Sequence, residues 1–189
     1  GTKSLVIYFT RQGEIPGNVD AVSSATQNSN EGMDGSATEA AARMIQSLTG
    51  ADLYQIYTEH YYRKSFAGTA ATAWIEEQLN LRPKLAAKPD NLDDYDTIYV
   101  GYPIWWFNAP MAIGSFLESY DLSGKTIVPF CTSQDNDISV SMDYIKEVAS
   151  GANVLDGYRI HGADVDDVKE WLQRIGVLND NNTENQNAE

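Results

Sequence analysis

Cysteine occurs once in the 189 residues, at Cys131, and histidine twice, at His60 and His161. A lone thiol excludes an internal disulfide framework and a cysteine-rich metal site. So few imidazoles argue against a zinc cluster as well. Positive charge is also scarce, with 13 Lys plus Arg against 27 Asp plus Glu and a formal net charge of -14. Such a surface repels DNA, RNA and anionic lipid and favours basic partners. No apolar run approaches the roughly 20 residues needed to cross a bilayer, so no transmembrane segment is expected. Neither GxGxxG nor GxxxxGK[ST] occurs. That removes the dinucleotide fingerprint and the P-loop NTPase. Any bound anion must then be held by backbone N–H groups and very local charge.

What is present suits one ordinary domain, with 42% hydrophobic and 21% charged residues. The expected unit is a single domain over 3–177, with a polar loop insertion at 14–34 and a disordered polar tail at 178–189. The chain opens on Gly1 without an initiator Met. A cytoplasmic location is expected, with room for a targeting segment removed upstream.

Short apolar runs alternate with helical patterns along the chain. Ser4–Phe9 reads as a strand buried on both faces, Thr97–Gly101 as another buried strand, Asp52–Ile56 and Lys125–Phe130 as strands, and Asn153–Ile160 as extended. Pro129 inside the fourth run opposes a central, fully paired position. Helical periods cover Ser36–Gly50, Thr69–Leu81, Ala109–Tyr120, Ser139–Ala149 and Val165–Gly176. Ser36 with Glu39 suggests a capping box, Trp74 and Ile75 mark the apolar side of the second helix, and Asp164 can cap the last. Strand–helix alternation of this kind predicts a mostly parallel sheet covered on both sides.

Ligands of such sheets bind beyond the carboxyl ends of the strands. After the first strand come Thr10, Arg11, Gln12 and Gly13. After the insertion, Ser36, Ala37 and Thr38 present free amides at a helix start, a suitable place for a phosphate. After the third strand come Tyr102, Pro103, Ile104, Trp105, Trp106 and Phe107. Adjacent residues in a loop cannot all face the core, so one indole should pack inward and the other stay free for a flat ligand or an oligomer interface. Cys131 reads as a packed thiol, and both histidines as surface or packing residues.

The Gly101–Trp106 stretch GYPIWW, the segment LESYDLSGKTIVPFCT and the closing DVKEWLQRIG together resemble the flavodoxin-like family. YFTR at the end of the first strand is similar to its phosphate loop. The resemblance spans about residues 4–177. It implies a three-layer α/β/α sandwich on a five-stranded parallel sheet in the order 2-1-3-4-5, and a non-covalent FMN. Carried over by position, Thr10, Arg11, Gln12, Ser36, Ala37 and Thr38 would surround the phosphate. Pro103, Ile104, Trp105, Trp106 and Phe107 would flank the isoalloxazine, and Thr132, Ser133, Gln134 and Asp137 would close its other side. No catalytic side chain and no metal are implied.

Three functions follow as expectations. The first is low-potential electron transfer to a redox partner with a basic face. The second is an FMN-dependent reductase using NAD(P)H and a small electron acceptor such as a quinone. The third is a binding or regulatory domain that no longer holds FMN, favoured by the glycine-free loop TSQDNDIS. Monomer and homodimer are both compatible with the sequence. The insertion Glu14–Met33 is expected to be the most mobile internal segment and to order only when the phosphate site is filled.

Overall fold

A computed structural model of the chain describes residues 3–10, 35–59, 66–133, 136–161 and 164–179. The expectations for the insertion, for His60 and for the tail beyond residue 179 lie outside the described residues.

The apolar runs form parallel strands β1 (Lys3–Phe9), β2 (Asp52–Ile56), β3 (Tyr95–Pro103) and β4 (Thr126–Thr132). The outermost column is divided into β5 (Asn153–Val154) and β6 (Tyr158–Ile160), both paired with β4. The order is β2-β1-β3-β4-β5, so the sheet is the predicted five-column one with its last column broken. Pro129 explains the break. Ile127 O accepts from Leu155 N. Backbone groups alternate sides along a strand, so position 129 also faces the outer column, where proline has no N–H to give. Leu155–Gly157 pass that point unpaired as strand, and the register slips by one residue between Val154 and Tyr158.

Among the described residues, five α-helices complete the layers: α1 (Gly35–Thr49), α2 (Phe66–Gln78), α3 (Met111–Leu117), α4 (Ser139–Val148) and α5 (Val165–Arg174). One face of the sheet packs Val6, Tyr8, Tyr99, Val128 and Phe130 against Ala41, Ala42 and Ile45 of α1 and Val168, Trp171 and Leu172 of α5. The other packs Ile7, Phe9, Ile98, Val100 and Ile127 against Ala73 of α2, Ile113 and Phe116 of α3, and Ile145 of α4.

Several local expectations change. α1 starts at Gly35, which places Ser36 inside the first turn and not at a cap. Ala37 and Ala40 are exposed, while Thr38 is fully buried. α2 runs three residues ahead of the predicted span and stops before Asn80, which is left-handed at φ 50°. Trp74 and Ile75 are each 48% exposed, so Ala73 marks the buried side. α3 is short because Pro110 stays extended at ψ 144°, and its end tightens through Ser119 N to Phe116 O. Asp164 caps α5 as expected, its Oδ1 accepting from the amides of Asp166 and Asp167.

At Gly101 of β3 a Cβ would overlap the ring of Phe130, its register partner on β4. Gly101→Ala should cost about 1–3 kcal/mol through overpacking, read as a lower urea midpoint. An unchanged midpoint would mean that the ring has room to move.

Tyrosines add a pH dependence. Burial pushes the hydroxyls of Tyr99 and Tyr144 up to about 12, and the Asp52 carboxylate bonded at 2.6 Å raises Tyr95 to about 12. An unfolded tyrosine ionises near 10. Between about pH 10 and 12 the unfolded chain therefore releases protons that the folded chain keeps, so stability falls as pH rises through that window. Urea midpoints should hold to about pH 9.5 and drop by about pH 11. A flat profile would mean that these hydroxyls ionise within the fold.

Candidate functional site

The ends of β1, β3 and β4 that carry the candidate residues lie side by side at the carboxyl edge of the sheet, where β1 and β3 are neighbours. Strand order reverses there, because β2 lies outside β1 on one side while β3 and β4 continue on the other. Thr10 leaves β1 at this point. It is only 3% exposed, and its Oγ1 is buried without a hydrogen-bond partner among the described residues. Thr38, in the first turns of α1, is wholly buried and shares a 2.8 Å hydrogen bond between its Oγ1 and that of Thr132, the last residue of β4. A hydroxyl pair thus joins the start of α1 to the end of β4. The leading amides of α1, at Gly35, Ser36 and Ala37, lack carbonyls of their own helix to bond.

Nearby charge is already committed. Glu39 accepts from Arg43 at 2.9 Å, one turn along α1. The side chains of Arg11, Gln12, Ser36 and Gln134 fall outside the described residues. Ser133 Oγ accepts from the amide of Asn136 at 2.9 Å, which bends the loop after β4, and Asp137 lies exposed beyond it.

The aromatic row resolves into inward and outward members. Tyr102 and Pro103 are still strand, paired with Cys131 and Thr132. The ring of Tyr102 is wholly buried, its hydroxyl 2.8 Å from Ser141 Oγ on α4. Ile104 N donates to Thr132 O at 3.2 Å. Trp105 turns into the core, 3% exposed, and meets Phe9 edge-on at 5.4 Å between ring centroids. Trp106 and Phe107 remain exposed, at 43% and 68%. One indole goes in and its neighbour stays out, as expected of adjacent residues in a loop.

A tight turn does the sorting. Trp105 N donates to Asn108 O at 2.8 Å, and Asn108 N returns a bond to Trp105 O at 3.1 Å. Between them Trp106 and Phe107 both take left-handed backbone angles, φ 49° and 60°. That is the hairpin turn for which Asn-Gly is the usual pair, and bulky aromatics there carry steric strain. Asn108 Oδ1 accepts from Ala109 N at 2.8 Å, and the Trp106 indole N–H donates to Ala70 O of α2 at 2.7 Å. Ser141, Asn108 and Ala70 are contributors that sequence reasoning missed. Only Asn108, a turn former three residues after Trp105, offered a signal.

Cys131 is buried beside Tyr102, and burial pushes its thiol up to about 12. It stays protonated and unreactive, as a packing residue should.

Trp105→Ala should cost about 3–5 kcal/mol of global stability, because a fully packed indole is lost. Phe107→Gly should act in the opposite direction and raise stability by about 1 kcal/mol, since glycine accepts the left-handed conformation freely. Denaturant unfolding separates the two. A Phe107→Gly protein no more stable than the parent would show that the turn stores no strain.

No curated protein sequence matches the chain. Among solved structures, a candidate flavoprotein from Bacteroides uniformis is 30% identical, with a TM-score of 0.73 over 92% of this chain and 99% of its own. Another from Bacteroides eggerthii is 28% identical, with a TM-score of 0.74 over 93% and 98%. A flavoprotein from Lactobacillus acidophilus, solved in complex with FMN, shares the fold at 19% identity and a TM-score of 0.64 over 90% and 99%. A sequence model of the family described as Flavodoxin matches residues 32–175. The chain belongs to the flavodoxin family.

Proposed function

We propose that the protein binds FMN non-covalently at the carboxyl edge between β1 and β3 and serves low-potential electron transfer. The observation that carries this reading is the hydroxyl of Thr10, buried at the end of β1 and without a partner among the described residues. A buried polar atom left unbonded costs about 1–3 kcal/mol, a cost that a phosphate oxygen would offset. The residues present fit the group. Thr10, Thr38 and the first amides of α1 would hold the phosphate, with Arg11, Gln12 and Ser36 as further candidates. The exposed rings of Trp106 and Phe107 offer flat apolar surface, and Thr132, Ser133, Gln134 and Asp137 would border the remaining side.

Bound FMN would supply the redox chemistry. The chain's own residues orient, exclude water and set the local field. The buried titratable groups of the edge, Cys131 and Tyr102, are both raised by burial and keep their protons. These two groups offer no acid–base chemistry near neutral pH, and electron transfer requires none. A net charge of -14 disfavours added negative charge on a bound flavin and steers a partner with a basic face.

The test is titration of flavin-free protein with FMN and with riboflavin, which lacks the phosphate. Thr10→Val keeps the shape and removes the hydroxyl. FMN binding should weaken by about 1–3 kcal/mol while riboflavin binding stays the same. Trp106→Ala should weaken both flavins by about 1–3 kcal/mol through lost stacking and re-exposed apolar area. Equal losses for both flavins in Thr10→Val would remove the phosphate assignment. No binding of either flavin by the parent protein would favour the flavin-free regulatory domain.

A further inference from the structure

The amino ends of the strands, opposite the candidate flavin site, carry a polar row. Ser4 of β1 lies beside Thr97 of β3, Thr97 beside Thr126 of β4, and Thr126 beside Asn153 of β5. Register partners in a parallel sheet point to the same face. Two residues further on, that face bears Val6, Tyr99 and Val128, packed in the core under α1 and α5. The row therefore looks toward the helical layer, where apolar side chains are the rule.

It is left uncovered because both helices above it stop early. α1 ends at Thr49, with Gly50 left-handed at φ 71°, and α5 at Arg174, with Gly176 left-handed at φ 84°. The gap is a cavity of about 450 Å³, in which Lys3 and Tyr99 join the row and Leu155, Ile175 and Val177 supply apolar surface.

Apart from the Thr49 hydroxyl, which donates to Ile45 O and accepts from Ala51 N, its polar side chains are unspent. The side chains of Lys3, Ser4, Thr97, Tyr99, Thr126 and Asn153 make no hydrogen bond to another described residue. By contrast, the hydroxyls of Tyr8, Tyr95, Tyr102 and Tyr144 are all engaged within the protein. Three hydroxyls on adjacent strands, a phenol, an amide and an ammonium thus converge on one recess.

The surrounding field selects the class of ligand. Helix carboxyl ends carry partial negative charge, and both helices end here. With Lys3 as the one cation among the described lining residues and a net charge of -14 overall, an anion is disfavoured. Side chains that both donate and accept suit a molecule whose groups also do both, and the apolar surface suits its C–H face. We propose that this cavity binds a neutral polyhydroxylated small molecule of mono- or disaccharide size. The site is independent of the flavin reading.

The test uses the full ¹⁵N-labelled chain, titrated with glucose, trehalose and mannitol, and with gluconate as the anionic counterpart. At least one neutral polyol should give saturable amide shifts confined to the surroundings of Ser4, Thr97, Thr126, Asn153 and Val177. The double variant Thr97→Val, Thr126→Val removes two hydroxyls at nearly constant shape and should weaken that binding about tenfold or more. The exposed Asn153→Ala provides a second variant that leaves the core intact, and it should weaken binding too. No saturable shift from any of the three polyols overturns the proposal. So does gluconate binding as tightly as the best of them, or binding that survives all the substitutions unchanged.

Discussion

Three strands, β1, β3 and β4, carry side chains out of water on both faces of the sheet, and a strand so placed can put polar groups only at its ends. Val6, Ile7, Tyr8, Ile98, Val100, Ile127, Val128 and Phe130 are all wholly buried. Both faces must be covered, which demands a helical layer on each side and parallel connections between neighbours. Function is thereby pushed to the two rims. At one rim the chain places threonines, free amides and aromatic rings; at the other it places a hydroxyl row above helix ends. The layered parallel architecture follows from that burial, and both candidate sites are where the burial stops.

The central strands were legible because a run such as SLVIYF has no polar position on either face. The helix caps were less so. Ser36 and Glu39 have the spacing of a capping box, yet the helix starts one residue sooner and Glu39 is drawn to Arg43. α2 misled for a related reason. Its Trp74 and Ile75 are the most apolar side chains of a weakly patterned segment, but both are half-exposed and it is Ala73 that packs into the core.

Within the site, the sorting of Trp105 from Trp106 could be read from their adjacency in a loop. The way it is achieved could not. Left-handed φ at two successive aromatics runs against local preference, so no propensity argument leads to it. It persists because neighbours over-determine it: paired backbone bonds from Trp105 to Asn108, the Asn108 amide oxygen on Ala109, and the indole hydrogen bond to Ala70. Local rules that fail in this way tend to fail at functional positions. A turn built from Asn and Gly would be easier to form but would present no rings.

Pro129 has a consequence beyond the register it disturbs. Every open sheet ends in strands whose outer backbone groups are free to pair with a strand of another molecule, and long flat edges invite that pairing. By denying β4 a donor toward the outer column, Pro129 leaves that edge as pieces of two and three residues with a slipped register between them. Such an edge is a poor template. A proline that looked misplaced in a central strand thus protects the molecule from adding further strands to its sheet.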